Sequence, residues 1–237
     1  LPPWSPFSVD VMAVVVIEWT HTCWLMLGLS VLGSSWLLGK SWSLPPYLFN
    51  RQLRHLAAAD IGLSLVDPAF EIVVAVMWPK AGRTLPFWFV VSSRSCVHFF
   101  VFVVCMVETQ IAAGVLASAL HCRRGPRLAA GLLPFTWPLA VALTLIDAAT
   151  MSCDVKGDDV AGTAGVCAVV ISICFLSSLL LYIITIGTVL FWSRSPSAVV
   201  RRASYRALAF PCGFIATVFP TWLVYIGLTK SYVAVGI

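Results

Sequence analysis

"GVCAVVISICFLSSLLLYIITIGTVLFW" runs from Gly165 to Trp192 without one Asp, Glu, Lys or Arg. A helix that crosses the hydrocarbon core of a bilayer needs about 20 mostly apolar residues. Nothing in a soluble fold of ordinary composition calls for so long an uncharged run. The stretch therefore reads as a transmembrane helix, and the rest of the chain agrees with it. Of 237 residues, 60% are apolar and 11% charged, with a mean hydropathy of +0.95. Soluble domains carry about 25% charged residues. The composition predicts an all-α integral membrane protein forming a single transmembrane domain over residues 1–237.

Five further stretches are long and apolar enough to be spans. With Gly165–Trp192 the set is 9–38, 53–78, 91–120, 128–149, 165–192 and 207–228. Gly and Pro punctuate the gaps in "SLPPY", "GRTLP", "RRGP" and "SRSPS". Pro211 and Pro220 fall inside the last span, where membrane helices tolerate them because neighbours satisfy the freed backbone groups. Six visible helices followed by "KSYVAVGI" fit a truncated seven-helix bundle, with the first residues a short leader to the first span.

Loop charge orients the bundle. The loops after spans one, three and five hold Lys40, Arg51, Arg54, Arg123, Arg124, Arg127, Arg194, Arg201, Arg202 and Arg206, with no acid. The opposite side holds Lys80, Arg83, Arg94, Lys156 and Lys230, together with Asp10, Asp154, Asp158 and Asp159. The positive-inside rule predicts a multi-pass protein with its N-terminus outside and the basic loops in the cytoplasm, in the plasma membrane rather than an organelle. The net charge of +5 sits in short loops between spans, so it points to membrane surface and not to nucleic acid. Arg123, Arg124, Arg127, Arg201 and Arg202 are the candidates for contact with anionic lipid or a cytoplasmic partner.

Eight cysteines show neither a CxxC nor a zinc-like spacing with His. Cys96, Cys153 and Cys167 fall at the outer ends of their spans, where an oxidising face permits a disulfide from Cys96 to Cys153 or to Cys167. Cys122 beside the inner "RRGPR" is a candidate for palmitoylation.

Polar residues inside the spans carry the functional signal. Asp60, Asp67 and Glu71, seven and four residues apart, share one helical face in "NRQLRHLAAADIGLSLVDPAFEIVVAVMWP" (Asn50–Pro79). Intramembrane acids face the bundle interior or a wet cavity, so this stripe is expected to point inward. Glu108 and Gln110 lie at mid-depth in the third span, Glu18 and His21 in the first, and Asp147 near the outer end of the fourth. As plain interhelical hydrogen-bond contacts such groups contribute about 0.6 kcal/mol each. As a set of acids without a basic residue at mid-depth, they describe an internal polar cavity for a ligand, cation or proton. All four lysines lie at span ends, which excludes a retinal Schiff base on these spans. The four His are scattered, and no GxSxG, HExxH or phosphate loop occurs. Neither an enzyme, a bound metal nor a cofactor is expected.

"LRHLAAAD" (Leu53–Asp60), "WFVVSSRSC" (Trp88–Cys96), "FTWPLA" (Phe135–Ala140) and "FPCGFIATVFPTW" (Phe210–Trp222) follow one another in a familiar order. The first resembles the Asp in a small-residue run of the second helix of seven-helix G-protein-coupled receptors. The second resembles the outer-loop Trp followed by the Cys that opens helix three, and Trp137 matches the helix-four Trp. The fourth is similar to helix six of the cyclic-AMP-receptor-like branch, with Phe214, Phe219 and Pro220. The end of the third span is Leu120-His121-Cys122 in place of an acid-Arg-aromatic triplet. The resemblance implies a receptor-like protein. A ligand would enter from outside and meet Asp67, Glu71 and Glu108. Asp60 and Gln110 would form a deeper, sodium-linked polar site, and the sixth span would hinge at Pro211 or Pro220.

Two other classes fit the same composition. An accessory subunit of a bioenergetic assembly would use ten Trp and fourteen Phe against lipid, neighbouring membrane subunits or, in a photosynthetic complex, pigment. An ion or proton transporter would use the buried acids, although no internal repeat of the transporter kind is present.

Overall fold

The computed structural model describes residues 27–45, 47–77, 86–120, 122, 124–154 and 165–192, and these are almost wholly helical. Helix α1 covers 27–42, α2 Leu48–Met77, α3 Phe87–Ala119, α4 Gly125–Leu132, α5 Thr136–Asp154 and α6 Gly165–Trp192. A 3₁₀ turn over Leu133–Phe135 joins α4 to α5. No strand occurs among the described residues, so the all-α expectation holds. Proline sets several starts. Pro86 precedes α3, and Pro126 and Pro134 occupy the first turns of α4 and the 3₁₀ segment. There a missing N–H costs nothing.

Three helices are long and apolar enough to cross a membrane: Trp88–Ala119, Arg127–Thr150 and Val166–Thr188. They match the third, fourth and fifth expected spans and place the chain in a membrane. The expected six spans are not all seen. Helix α2 runs for 30 residues, but Arg51, Arg54, Asp60, Asp67 and Glu71 are spread along it. Its charge density separates it from the other three. The span expected at 9–38 lies partly outside the described residues, and the one at 207–228, with Pro211 and Pro220, lies wholly outside them.

Helix α3 is the hub, packing against α2, α5 and α6. Phe102, Val103, Val107 and Ile111 on it have no exposed surface. On α6 the buried side chains are Cys167, Ile171, Phe175, Ser178, Tyr182 and Thr185. Their spacing of three and four residues makes one stripe along the helix. Val169, Ile173, Leu176, Leu180 and Ile183 cover the other face and are exposed, as lipid-facing side chains would be. On α2 the small buried residues Ala57 and Ala59 let α3 come close. The approach is tightest at Gly62, where any Cβ would run into the Phe100 ring.

Candidate functional site

The inward side chains of this hub are not uniformly apolar. Toward the start of α3, His98 Nδ1 lies 2.6 Å from Asp147 Oδ2 on α5. Asp147 is 0% exposed, and its second oxygen, Oδ1, has no hydrogen-bond partner among the described residues. Antiparallel packing explains the meeting. His98 sits twelve residues into α3 and Asp147 seven residues before the end of α5, so both lie in the same half of the bundle.

A second polar layer lies deeper. Glu108 is 9% exposed and accepts a long hydrogen bond, 3.4 Å, from the Tyr182 hydroxyl on α6. Asp60 on α2 is half-buried, within electrostatic reach of Glu108 and within hydrogen-bond reach of Ser34 on α1. One helical turn further along α2, Ser64 donates to Ser30 at 3.1 Å. Thr109 and Ser178 meet at 3.0 Å across the α3–α6 seam, where Cys105, Cys167 and Cys174 also gather.

A third polar layer lies toward the start of α5. Gln110 Nε2 donates to Thr136 Oγ1 at 2.9 Å, and Trp137 Nε1 donates to His55 Nδ1 at 2.8 Å. Indole nitrogen can only donate, so His55 Nδ1 is the acceptor and its proton sits on Nε2. Trp137 also lies against Phe99, with ring centroids 5.8 Å apart. Trp137 thus ties α5 to both α2 and α3.

The expected site residues are only partly gathered. Asp60 on α2 and Glu108 on α3 lie within electrostatic reach of each other. Asp67, seven residues beyond Asp60, is exposed. The shared face expected of the stripe therefore turns inward at Asp60 and leaves the packed interior by Asp67. Glu71 lies in α2, but its side chain is outside the described residues. Gln110 does not join Asp60 in one polar site. It is two residues from Glu108, about 200° around the helix, and so bonds Thr136 on α5 while Glu108 looks toward α2 and α6. Arg124 and Arg127 are exposed at the start of α4, whereas Arg123, Arg201 and Arg202 are outside the described residues.

The disulfide expected from Cys96 is corrected for the partner that can be seen. Cys96 and Cys167 are both free thiols, the first exposed and the second buried. The reason is angular. Cys96 precedes Cys105 by nine residues, which at about 100° per residue puts the two on opposite sides of α3. Cys167 lies in the core cluster with Cys105, away from Cys96. Cys153 has its side chain outside the described residues.

Sequence reasoning missed the His98–Asp147 pair, because spacing along one helix says nothing of partners on another. The usable signal was depth: an uncompensated acid near the end of one span and a histidine near the start of its antiparallel neighbour. Among the described residues no three His, Cys, Asp or Glu side chains converge as a metal site. Comparison with protein-family models and with curated proteins gives no match.

Proposed function

We propose that the chain is a receptor-like, non-enzymatic multi-pass membrane protein that senses a ligand from the outer face through ionisable groups buried around α3. The observation that carries this is the burial of Glu108, Asp147 and His98 in the interfaces of one helix, in a chain that is 11% charged. Intramembrane ionisable residues are costly and are kept where they handle a ligand or an ion. Asp67, exposed toward the outer end of α2, and Glu71 would form the approach, and Glu108 the deeper contact. The seven-helix receptor resemblance of Leu53–Asp60, Trp88–Cys96 and Phe135–Ala140 supports the same assignment. A cationic ligand would exchange with the proton or hydrogen bond that now satisfies Glu108. The inner arginines, Arg124 and Arg127 with Arg123, Arg201 and Arg202, would meet an acidic signalling partner. We place the protein in the plasma membrane with its N-terminus outside.

A second function draws on one specific observation. Asp60, Glu108 and Tyr182 lie on α2, α3 and α6, with α3 packed between the other two, an arrangement that suits proton or ion transfer across the bundle. One experiment separates the two. Full-length protein and its Glu108→Gln variant are reconstituted in vesicles and assayed for ligand binding from a panel of small cations and for proton flux. Saturable binding that Glu108→Gln weakens, without flux, supports the receptor. Flux that Glu108→Gln abolishes supports transport and removes the receptor function. Neither activity, in protein that copurifies at fixed stoichiometry with other membrane chains, would make it an accessory subunit.

A further inference from the structure

The turn between α1 and α2 is held by more bonds than a plain connection needs. Arg54 donates through Nε and Nη2 to the Ser41 carbonyl at 3.2 and 2.8 Å, and through Nη2 to the Leu44 carbonyl at 3.0 Å. Its guanidinium also stands 5.4 Å from the centre of the Trp42 ring. Asn50 donates to the Pro45 carbonyl at 2.7 Å, and Tyr47 N–H to the same oxygen at 2.8 Å. Arg54 is thus spent on the backbone and stiffens the turn.

What the turn then presents is chemically consistent. Lys40 and Arg51 are exposed, and among the described residues neither forms an ion pair. No Asp or Glu occurs anywhere from Leu27 to Ala59. Trp42 and Tyr47 lie between these cations in sequence, with 70% and 72% of their surface exposed. Rings with an apolar body and a polar edge favour the headgroup level of a bilayer. Two exposed cations with no ion pair among the described residues, on one ordered turn with two such rings, complement a phosphate that is itself fixed at that level.

We propose that the α1–α2 turn is a binding site for the headgroup of an anionic phospholipid, with Lys40 and Arg51 holding the phosphate and Trp42 and Tyr47 seating the turn in the interface. The inference rests on the membrane location of the chain and not on its being a receptor. Its residues are other than those of the Arg124–Arg127 segment of α4.

The test is native mass spectrometry of the full chain in detergent, titrated with phosphatidylglycerol or phosphatidylcholine. Wild type should bind the first phosphatidylglycerol in preference to phosphatidylcholine. Each basic side chain near the surface contributes about fivefold in affinity for anionic lipid, so the K40Q/R51Q variant should bind it roughly 25-fold more weakly. R124Q/R127Q should leave that first site in place. Should K40Q/R51Q fail to fold, wild type alone decides, because the preference must shrink as salt rises. Equal affinity of wild type and K40Q/R51Q for phosphatidylglycerol overturns the site. So does a preference that salt does not change. Equal binding of the two lipids by wild type would overturn it as well and hand the turn to an acidic protein surface. None of these outcomes depends on Glu108, so the receptor proposal stands or falls separately.

Discussion

The two sides of α3 solve the same problem differently. Toward α5 it places an ionisable pair, His98 with a fully buried Asp147, and Gln110 with Thr136. Toward α6 it places mainly hydroxyls and thiols, Thr109 with Ser178 and Cys105 with Cys167 and Cys174, beside the one long carboxyl contact of Glu108 with Tyr182. The first seam gains a strong, directional contact but carries groups that are costly if orphaned. The second is held by weaker contacts, and Thr109 has the Cys105 carbonyl of its own helix to fall back on. The seam toward α5 therefore fixes position, and the seam toward α6 tolerates sliding.

The largest test of that contrast is removal of one member of the ionisable pair. Asp147→Ala leaves the His98 ring buried against α5 with its acceptor gone, and should cost about 3–5 kcal/mol in unfolding from mixed micelles. Replacing both, in His98→Leu/Asp147→Leu, removes the orphan and should recover most of the loss. A single Asp147→Ala variant as stable as wild type would show that the pair does not hold the seam. The non-additivity is the informative part, since it separates an energetic link from two separate packing losses.

A middle-sized effect is expected where α2 meets α3. Gly62 leaves space for the Phe100 ring that no Cβ can share. Gly62→Val should force the ring or the helix aside and cost about 1–3 kcal/mol by the same unfolding assay. Phe100→Ala added to Gly62→Val would open the space again, and the double variant should be less destabilised than the sum of the single changes. Strict additivity would mean the close approach contributes nothing. This contact sits two residues from Asp60, so it also bears on how near Asp60 stands to Glu108.

The long apolar runs of α3, α5 and α6 were legible because hydrophobic length and period are properties of one segment. Gly165–Trp192 is reproduced to the residue as α6. Asp60 and Glu108 were also legible, since an acid at mid-depth is costly wherever it faces. Their partners were not. His98 and Asp147 are 49 residues apart, and Glu108 and Tyr182 are 74 apart. Such pairs depend on helix rotation and offset, which the sequence leaves undetermined. The same ignorance of rotation let Cys96 be matched with Cys167 when Cys96 points the other way. Asp67 fails for a different reason. Sharing a face with Asp60 guarantees burial only where a neighbour covers that face, and at Asp67 the face is exposed.

The smallest prediction probes the hydroxyl seam. Thr109 Oγ1 lies 2.9 Å from its own Cys105 carbonyl and 3.0 Å from Ser178 Oγ. A hydroxyl has one hydrogen, and a carbonyl can only accept. Thr109 therefore donates to Cys105, and Ser178 donates to Thr109. Ser178→Ala removes the cross-helix donor while Thr109 keeps its backbone bond. Thr109→Val removes both contacts on α3 but preserves shape. The coupling between the two changes, measured by a double-mutant cycle, should be about 0.6 kcal/mol, the average for such contacts in membranes. Thr109→Ser should retain it. A coupling of several kcal/mol would place the α6 seam in the same class as His98–Asp147, and the division of α3 into a fixed side and a tolerant side would be lost.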